Sequence, residues 1–168
     1  KPSSVAACMK HFLGYSASAN AHDRTPVILS EDEIQNIYLP PFVAAVESGA
    51  ATVMINSGEV NGMPVHGSFH FLTTILRKQL KFKGVAVSDW EDVIRLHTRH
   101  RIAATPKEAV KIAVNAGLDM SMVPFDFSFY NYLIELVNEK EVSMKRIDES
   151  VTRILCLKQS LGLLDSEK

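Results

Sequence analysis

The sequence predicts an α/β fold of four consecutive βα units, on two observations: four short apolar or β-branched runs recur along the chain, and helical patterns with their own start signals fall between them. The runs cover residues 5–9, 51–56, 84–89 and 118–123, each of a length suited to a strand buried on both faces. Ser30 with Glu33 forms a capping box ahead of IQNIYLPPFVAAVESG, and Thr105, Pro106 and Glu108 form a second start ahead of AVKIAVNAG. Gly49 and Gly117 supply the matching stops. A further helix is expected in FHFLTTILRKQLK, and two more follow the last strand, FYNYLIELVNE and the segment MKRIDESVTRILCLKQSLG started by Ser143. Pro40 and Pro41 should break or kink the first helical region near its middle. Strands and helices alternating in this way imply a parallel sheet, and the right-handed crossover rule leaves a doubly wound sheet or part of a barrel. No strand is followed by a glycine-rich phosphate loop, which disfavours nucleotide-binding folds.

Composition narrows the partners. The chain has 168 residues, 46% hydrophobic and 22% charged, enough for one domain's core. Its 18 basic and 19 acidic residues are spread evenly, so no field concentrates nucleic acid or an anionic membrane, and neither partner is expected. No segment has the length of a membrane span. Cys8 and Cys156 each stand in an apolar run and are expected to be buried. The opening KPSSVAAC has neither an initiator methionine nor a signal-peptide layout, which reads as a start inside a longer protein.

In both architectures chemistry belongs at the C-terminal ends of the strands. Those ends carry Lys10-His11, Asn56-Ser57, Ser88-Asp89-Trp90 and Met122-Val123-Pro124, with Asp126 just beyond. Asp89 before Trp90 can be a nucleophile beside an indole wall for a sugar, or a cap on a helix beginning at Glu91. Lys10 and His11 can hold ligand hydroxyls or form a rim ion pair. Arg24 and Arg95 can orient a carboxylate through a forked pair, or lie solvated on the surface. The basic run LHTRHR, with His97, Arg99, His100 and Arg101, fits a phosphate, a metal, the rim of a sugar site or a solvated turn. Its histidines lack further ligands at a recognisable spacing, and His66 with His70 lacks the glutamate of the zinc-protease helix motif.

Taken together, KHF, VMINSGEVNGMPVHGS, LRKQLKFKGVAVSDW, AGLDMSMVP and RIDESVTRILCLKQSLGL resemble, in order and spacing, the pattern of family 3 glycoside hydrolases, closest to the β-glucosidase and β-glucan exohydrolase branch. The resemblance covers nearly the whole chain. It implies that residues 1–168 are the second half of a (β/α)8 TIM-type barrel, the first half and a following α/β domain being absent. It also implies a retaining hydrolase that releases terminal β-D-glucose through a glycosyl-aspartate, with Asp89 as nucleophile and no metal or cofactor. Lys10 and His11 correspond to residues on substrate hydroxyls, Met54 lies by the pocket, and Trp90 flanks the sugar. Arg95 matches an arginine at the substrate site of some members, and Arg24 resembles the arginine that follows the KH loop in several. One departure is Ser57, where the family often has a tyrosine near the nucleophile.

Retention requires a second carboxyl group about 5 to 5.5 Å from the first. Glu59, Glu91 and Asp92 are the nearby acids, and none matches the family's acid/base, so the acid is expected from outside this chain. The N-acetylglucosaminidase branch carries an Asp-x-His dyad after KHF, whereas this chain has His22 and Asp23 adjacent and reversed. A β-xylosidase, a β-N-acetylhexosaminidase and a non-catalytic sugar-binding half barrel remain as alternatives. The expected partner is a β-linked gluco-oligosaccharide or glucoside, with self-association through open barrel edges. The resemblance implies a periplasmic or secreted location.

Overall fold

The structure, a computed structural model, describes residues 5–125 and 127–164, so Asp126 lies outside the described residues. In chain order the elements are β1 Cys8–Phe12, α1 Glu31–Glu33, α2 Pro40–Glu47, β2 Thr52–Ile55, β3 Glu59–Val60, β4 Met63–Pro64, a π-helix His70–Gln79, β5 Val85–Trp90, α3 Asp92–Thr98, α4 Pro106–Ala116, β6 Met120–Met122, α5 Ser128–Asn138 and α6 Met144–Ser160. Strands β1, β2, β5 and β6 form a sheet in that order, every pair parallel. This is the predicted series of four βα units. The antiparallel pair of β3 and β4 is an addition above the C-terminal end of β2, bridged to Val27.

The first strand lies further along the chain than its apolar run suggested. Val5 is 91% exposed, whereas Phe12 is fully buried and meets the Phe42 ring edge-on at 5.1 Å. The strand is positioned by that anchor, with Cys8 beside Thr52 and Phe12 beside Ile55 and an irregular register between Met9 and Phe12. The peptide bonds Lys10–His11 and Phe12–Leu13 are cis.

Start signals in the sequence appear as hydrogen bonds. Ser30 Oγ accepts the Glu33 N–H at 3.2 Å while the Glu33 carboxylate accepts the Ser30 N–H at 2.8 Å. Thr105 Oγ1 accepts from Glu108 N, and Ser143 Oγ from Arg146 N. Pro40 and Pro41 lack the N–H of a helix interior, and the chain divides there as expected. A π-helical stretch, Ile34–Tyr38, precedes them, and α2 restarts with both prolines in its first turn.

Alternation along the strands separates two faces. Val53, Ile55 and Ala86 face the helices and are fully buried with Leu72, Leu76 and Leu96. The opposite face carries Thr52, Met54, Val87 and Met120, and stays partly open. Cys8 is exposed on the outermost strand and Cys156 is exposed on α6, which corrects the expectation that both are buried. The reason is positional: an edge strand and a peripheral helix leave one side of each cysteine uncovered. Among the described residues no helix is long and apolar enough to cross a membrane.

At the opposite end of the sheet from the loops, the fully buried Asp119 carboxylate ties several elements together. It accepts from Arg77 of the π-helix, from Arg146, Ser150 and Arg153 of α6, and from the Ala86 N–H of β5. Nearby, a Cβ on Gly84 would overlap the Ala51 carbonyl oxygen where β2 and β5 begin. Gly84→Ala is expected to lower unfolding free energy by about 3 kcal/mol, the upper part of the range for overpacking. Urea unfolding of both proteins checks this, since an unchanged midpoint would mean the strands separate there at no cost.

Candidate functional site

Strand β5 ends with Ser88 turned inward and Asp89 turned the other way. Ser88 is fully buried, and its hydroxyl accepts the Met122 N–H at 2.8 Å, locking β5 to β6. Asp89 therefore points to the mouth formed by the strand ends. Its Oδ2 accepts the Ser57 hydroxyl at 2.9 Å and lies 3.5 Å from His11 Nε2 and 3.9 Å from Arg24 Nη2. Its Oδ1 accepts the Trp90 N–H at 2.6 Å. Partial burial alone would raise this carboxyl, but the Trp90 N–H, the Ser57 hydroxyl, Arg24 and His11 together hold it below its ordinary value of 3.8. Asp89 is thus an anion at neutral pH. It is not a helix cap, because α3 begins three residues later after Glu91, which has a left-handed backbone (φ 59°).

Burial lowers the His11 imidazole from 6.5, with Asp89 opposing and Lys10 assisting, so His11 is neutral at neutral pH. His11 also lies 4.5 Å, ring to ring, from Tyr15. Lys10 and His11 line an open groove of 330 Å³ with Tyr38 and Phe42. Met54 is half-buried on β2 beside Val87, one alternation below Asp89 on the same face. Trp90 is 44% exposed and meets the exposed Phe125 ring edge-on at 5.9 Å.

Of the two arginines, only Arg24 reaches Asp89. Arg24 also pairs with Asp92 at 3.5 Å and with Asp23. Arg95 pairs with the same Asp92 oxygen at 3.1 Å and approaches Glu91 at 3.9 Å. Asp92 is 1% exposed and works as a buried anchor between the two guanidiniums. Burial would lower Arg24, but Asp92, Asp23 and Asp89 outweigh it and raise its pKa.

The other nearby acids are occupied. Glu59 binds His100 at 2.6 Å. Asp23 receives the Tyr15 hydroxyl at 2.9 Å and pairs with Arg24. Those contacts overcome its desolvation and hold it below 3.8. The LHTRHR run is a clasp: Arg99 donates to the Arg24 carbonyl at 2.8 Å, His100 holds Glu59, and His97 meets the Ala103 carbonyl at 3.0 Å. It braces the Arg24 loop rather than forming a turn open to solvent.

Two residues contact Asp89 in ways that the sequence did not assign to them. Ser57 replaces a tyrosine of the family pattern, yet its shorter side chain contacts the carboxylate directly. His66 is 2% exposed, and its Nε2 accepts the Asp89 N–H at 3.3 Å. The signal for Ser57 was its place at a strand end. For His66 no local signal exists, since its partners are remote in sequence.

The profile of the Glycosyl hydrolase family 3 N terminal domain matches residues 1–157. The lysosomal beta glucosidase of Dictyostelium discoideum is 46% identical over 166 residues, covering 98% of this chain and 20% of that protein. A beta-xylosidase of Formosa agariphila is 38% identical over 169 residues, covering 97% of this chain and 23% of its own length. A solved structure, the beta-glucosidase from Listeria innocua in complex with isofagomine, superposes with a TM-score of 0.92 at 34% identity, over 99% of this chain and 23% of that one. The chain spans about a fifth of the length of these relatives. Matched along nearly all its length and in its parallel βα architecture, the chain belongs to glycosyl hydrolase family 3, and its four βα units are part of that family's barrel-like N-terminal domain.

Proposed function

We propose that this domain serves a retaining β-glucosidase in which Asp89 is the nucleophile. The observation that carries the reading is an ionised carboxylate at the end of β5, gripped by donors and flanked by a half-exposed indole. Oδ2 faces the mouth and attacks the anomeric carbon of a terminal β-glucosyl unit, while the bond to the leaving oxygen breaks and that oxygen takes a proton from a general acid. Water then attacks the anomeric carbon of the glycosyl-Asp89 intermediate, breaking its bond to the Asp89 oxygen and losing a proton to the same group now acting as base. Asp89 is released as the carboxylate. Lys10 and neutral His11 hold substrate hydroxyls, Met54 and Trp90 wall the sugar, Arg24 orients Asp89, and Arg95 braces Asp92 at the rim.

The general acid comes from outside this chain, as does the first half of the barrel. Supporting this, Asp23 is held ionised by Arg24 and Tyr15, Asp92 is buried between arginines, and Glu59 is taken by His100. The open face bearing Met54, Val87 and Met120 is then the barrel lining, and a chain lacking the other half self-associates through its β1 and β6 edges. A periplasmic or secreted location fits the name of another relative, the periplasmic beta-glucosidase of Salmonella typhimurium. The similarity to a beta-xylosidase supports a second reading, a pentose in place of glucose, with the same nucleophile.

The test is mass mapping after incubation with 2-deoxy-2-fluoroglucosyl fluoride, whose leaving group departs without an acid. An adduct on the peptide containing Asp89 is expected. An adduct on a different carboxylate would remove Asp89 from its role, and labelling only by the xylosyl analogue would favour the second reading.

A further inference from the structure

The backbone of the proposed nucleophile has no strand neighbour at its own position. The ladder between β2 and β5 runs through Met54 and Val87, and the ladder between β5 and β6 passes from Val87 to Trp90 with an irregular register. The Asp89 N–H is left between them. Its partner is His66 Nε2 at 3.3 Å, carried on a short turn, Val65–Gly67, ahead of the π-helix. The Asn56 backbone at the end of β2 acts on the same ring and pulls its pKa upward. Asn56 is itself pinned, its side chain donating to the Leu13 carbonyl at 2.7 Å and accepting the Gly58 N–H at 2.8 Å.

We propose that His66 is the positioning residue of the nucleophile, a neutral imidazole that holds the end of β5 and sets the height of Asp89 in the mouth. This rests on Asp89 being the nucleophile. Because Nε2 accepts from a backbone N–H, the proton of the neutral ring must be on Nδ1. Only this uncharged tautomer satisfies the contact. A protonated ring would set an N–H against the Asp89 N–H and push the strand end away.

Complete burial keeps the ring neutral, lowering its pKa from 6.5 to about 4. Asp92 of α3 and Asp89 of β5 pull upward, as does the Asn56 backbone, and His100 beyond α3 pushes down. A folded value below the unfolded one means that protonation opposes the native arrangement. The contribution is fully present above 6.5 and lost as pH falls toward 4. Protonation of His66 breaks the contact that places Asp89, so it contributes to the acid limb of activity.

The experiment uses the full-length protein carrying this domain, an aryl β-glucoside, and the variants His66→Gln and His66→Met. Glutamine can accept from the Asp89 N–H at every pH, whereas methionine fills similar space and is at best a weak acceptor. His66→Met is expected to lose roughly 100-fold in kcat with KM changed less than about threefold, the scale of a small misplacement of a reacting group. His66→Gln should recover most of kcat, with its acid limb moved to lower pH. An unmoved acid limb in His66→Gln, or full kcat in folded His66→Met, overturns the proposal. Failure of the underlying reading looks different: the wild-type protein would then take no fluoroglycosyl label on Asp89, whatever the His66 variants do.

Discussion

Asp89→Asn in the full-length protein is expected to lower kcat/KM for aryl β-glucosides by roughly 10⁴-fold or more, as when a covalent nucleophile is removed. The amide keeps the shape of the side chain; its single oxygen can accept the Trp90 N–H while its NH2 donates to the Ser57 hydroxyl oxygen, but it has no anion to attack the anomeric carbon. The substitution also removes the charge facing Arg24 at 3.9 Å and His11 at 3.5 Å. Those groups are partly solvated and Arg24 keeps Asp92, so the unfolding midpoint should shift little. Steady-state kinetics with circular dichroism checks both parts. Retained turnover in the folded variant would assign the nucleophile to another group.

The largest effect on stability is expected at Asp119, far from the mouth. Its carboxylate is fully buried and answers three guanidiniums, at 2.5 Å from Arg77, 3.0 Å from Arg146 and 2.8 Å from Arg153. Asp119→Ala would leave those cations facing one another, at a cost of about 3 to 5 kcal/mol, the range for breaking one side of a buried pair. Burial works against both partners, and they respond differently. The Asp119 carboxyl would rise on burial, but Arg77, the Ala86 N–H, Arg153 and Ser150 hold it below 3.8. Arg77 is drawn down to about 10, burial outweighing the pull of Asp119 and the nearby Arg153 and Arg146 adding to the fall. Arg77 remains charged at neutral pH, so the depressed carboxyl governs the acid side. Its contribution is present above 3.8 and disappears as pH drops through the lower folded value. Chemical unfolding at pH 7 should therefore show a large deficit for the variant, and that deficit should shrink in strong acid. Equal midpoints at pH 7 would mean that the arginines find other partners.

Short-range features were legible in the chain. The capping box at Ser30 and Glu33 and the starts at Thr105 and Ser143 close hydrogen bonds over three residues, so residue type and spacing suffice to read them. Three of the four strand runs overlap their observed positions closely. The first moved because Phe12, packed against Phe42, outweighs the apolar run before it. Asp89, Lys10, His11, Met54, Trp90, Arg24 and Arg95 were identified through strand-end position and resemblance, and the structure gathers His11, Arg24 and Trp90 directly around Asp89. Arg95 is one step removed, held by Asp92. Ser57 read as the loss of a phenol and proves to be a donor to the carboxylate.

The sequence by itself determined the order of strands and helices, their capped ends, and an acid-indole pair at the end of a β-strand, because each depends on neighbours within one helical turn or one strand. The tertiary structure alone decided which groups share a proton or a charge. Asp89 is tuned by Ser57 and Arg24, braced by His66, and the fold is tied at Asp119 by arginines from two helices. These pairings join residues tens of positions apart, and their strength comes from burial, which only the assembled sheet and its helix layer create.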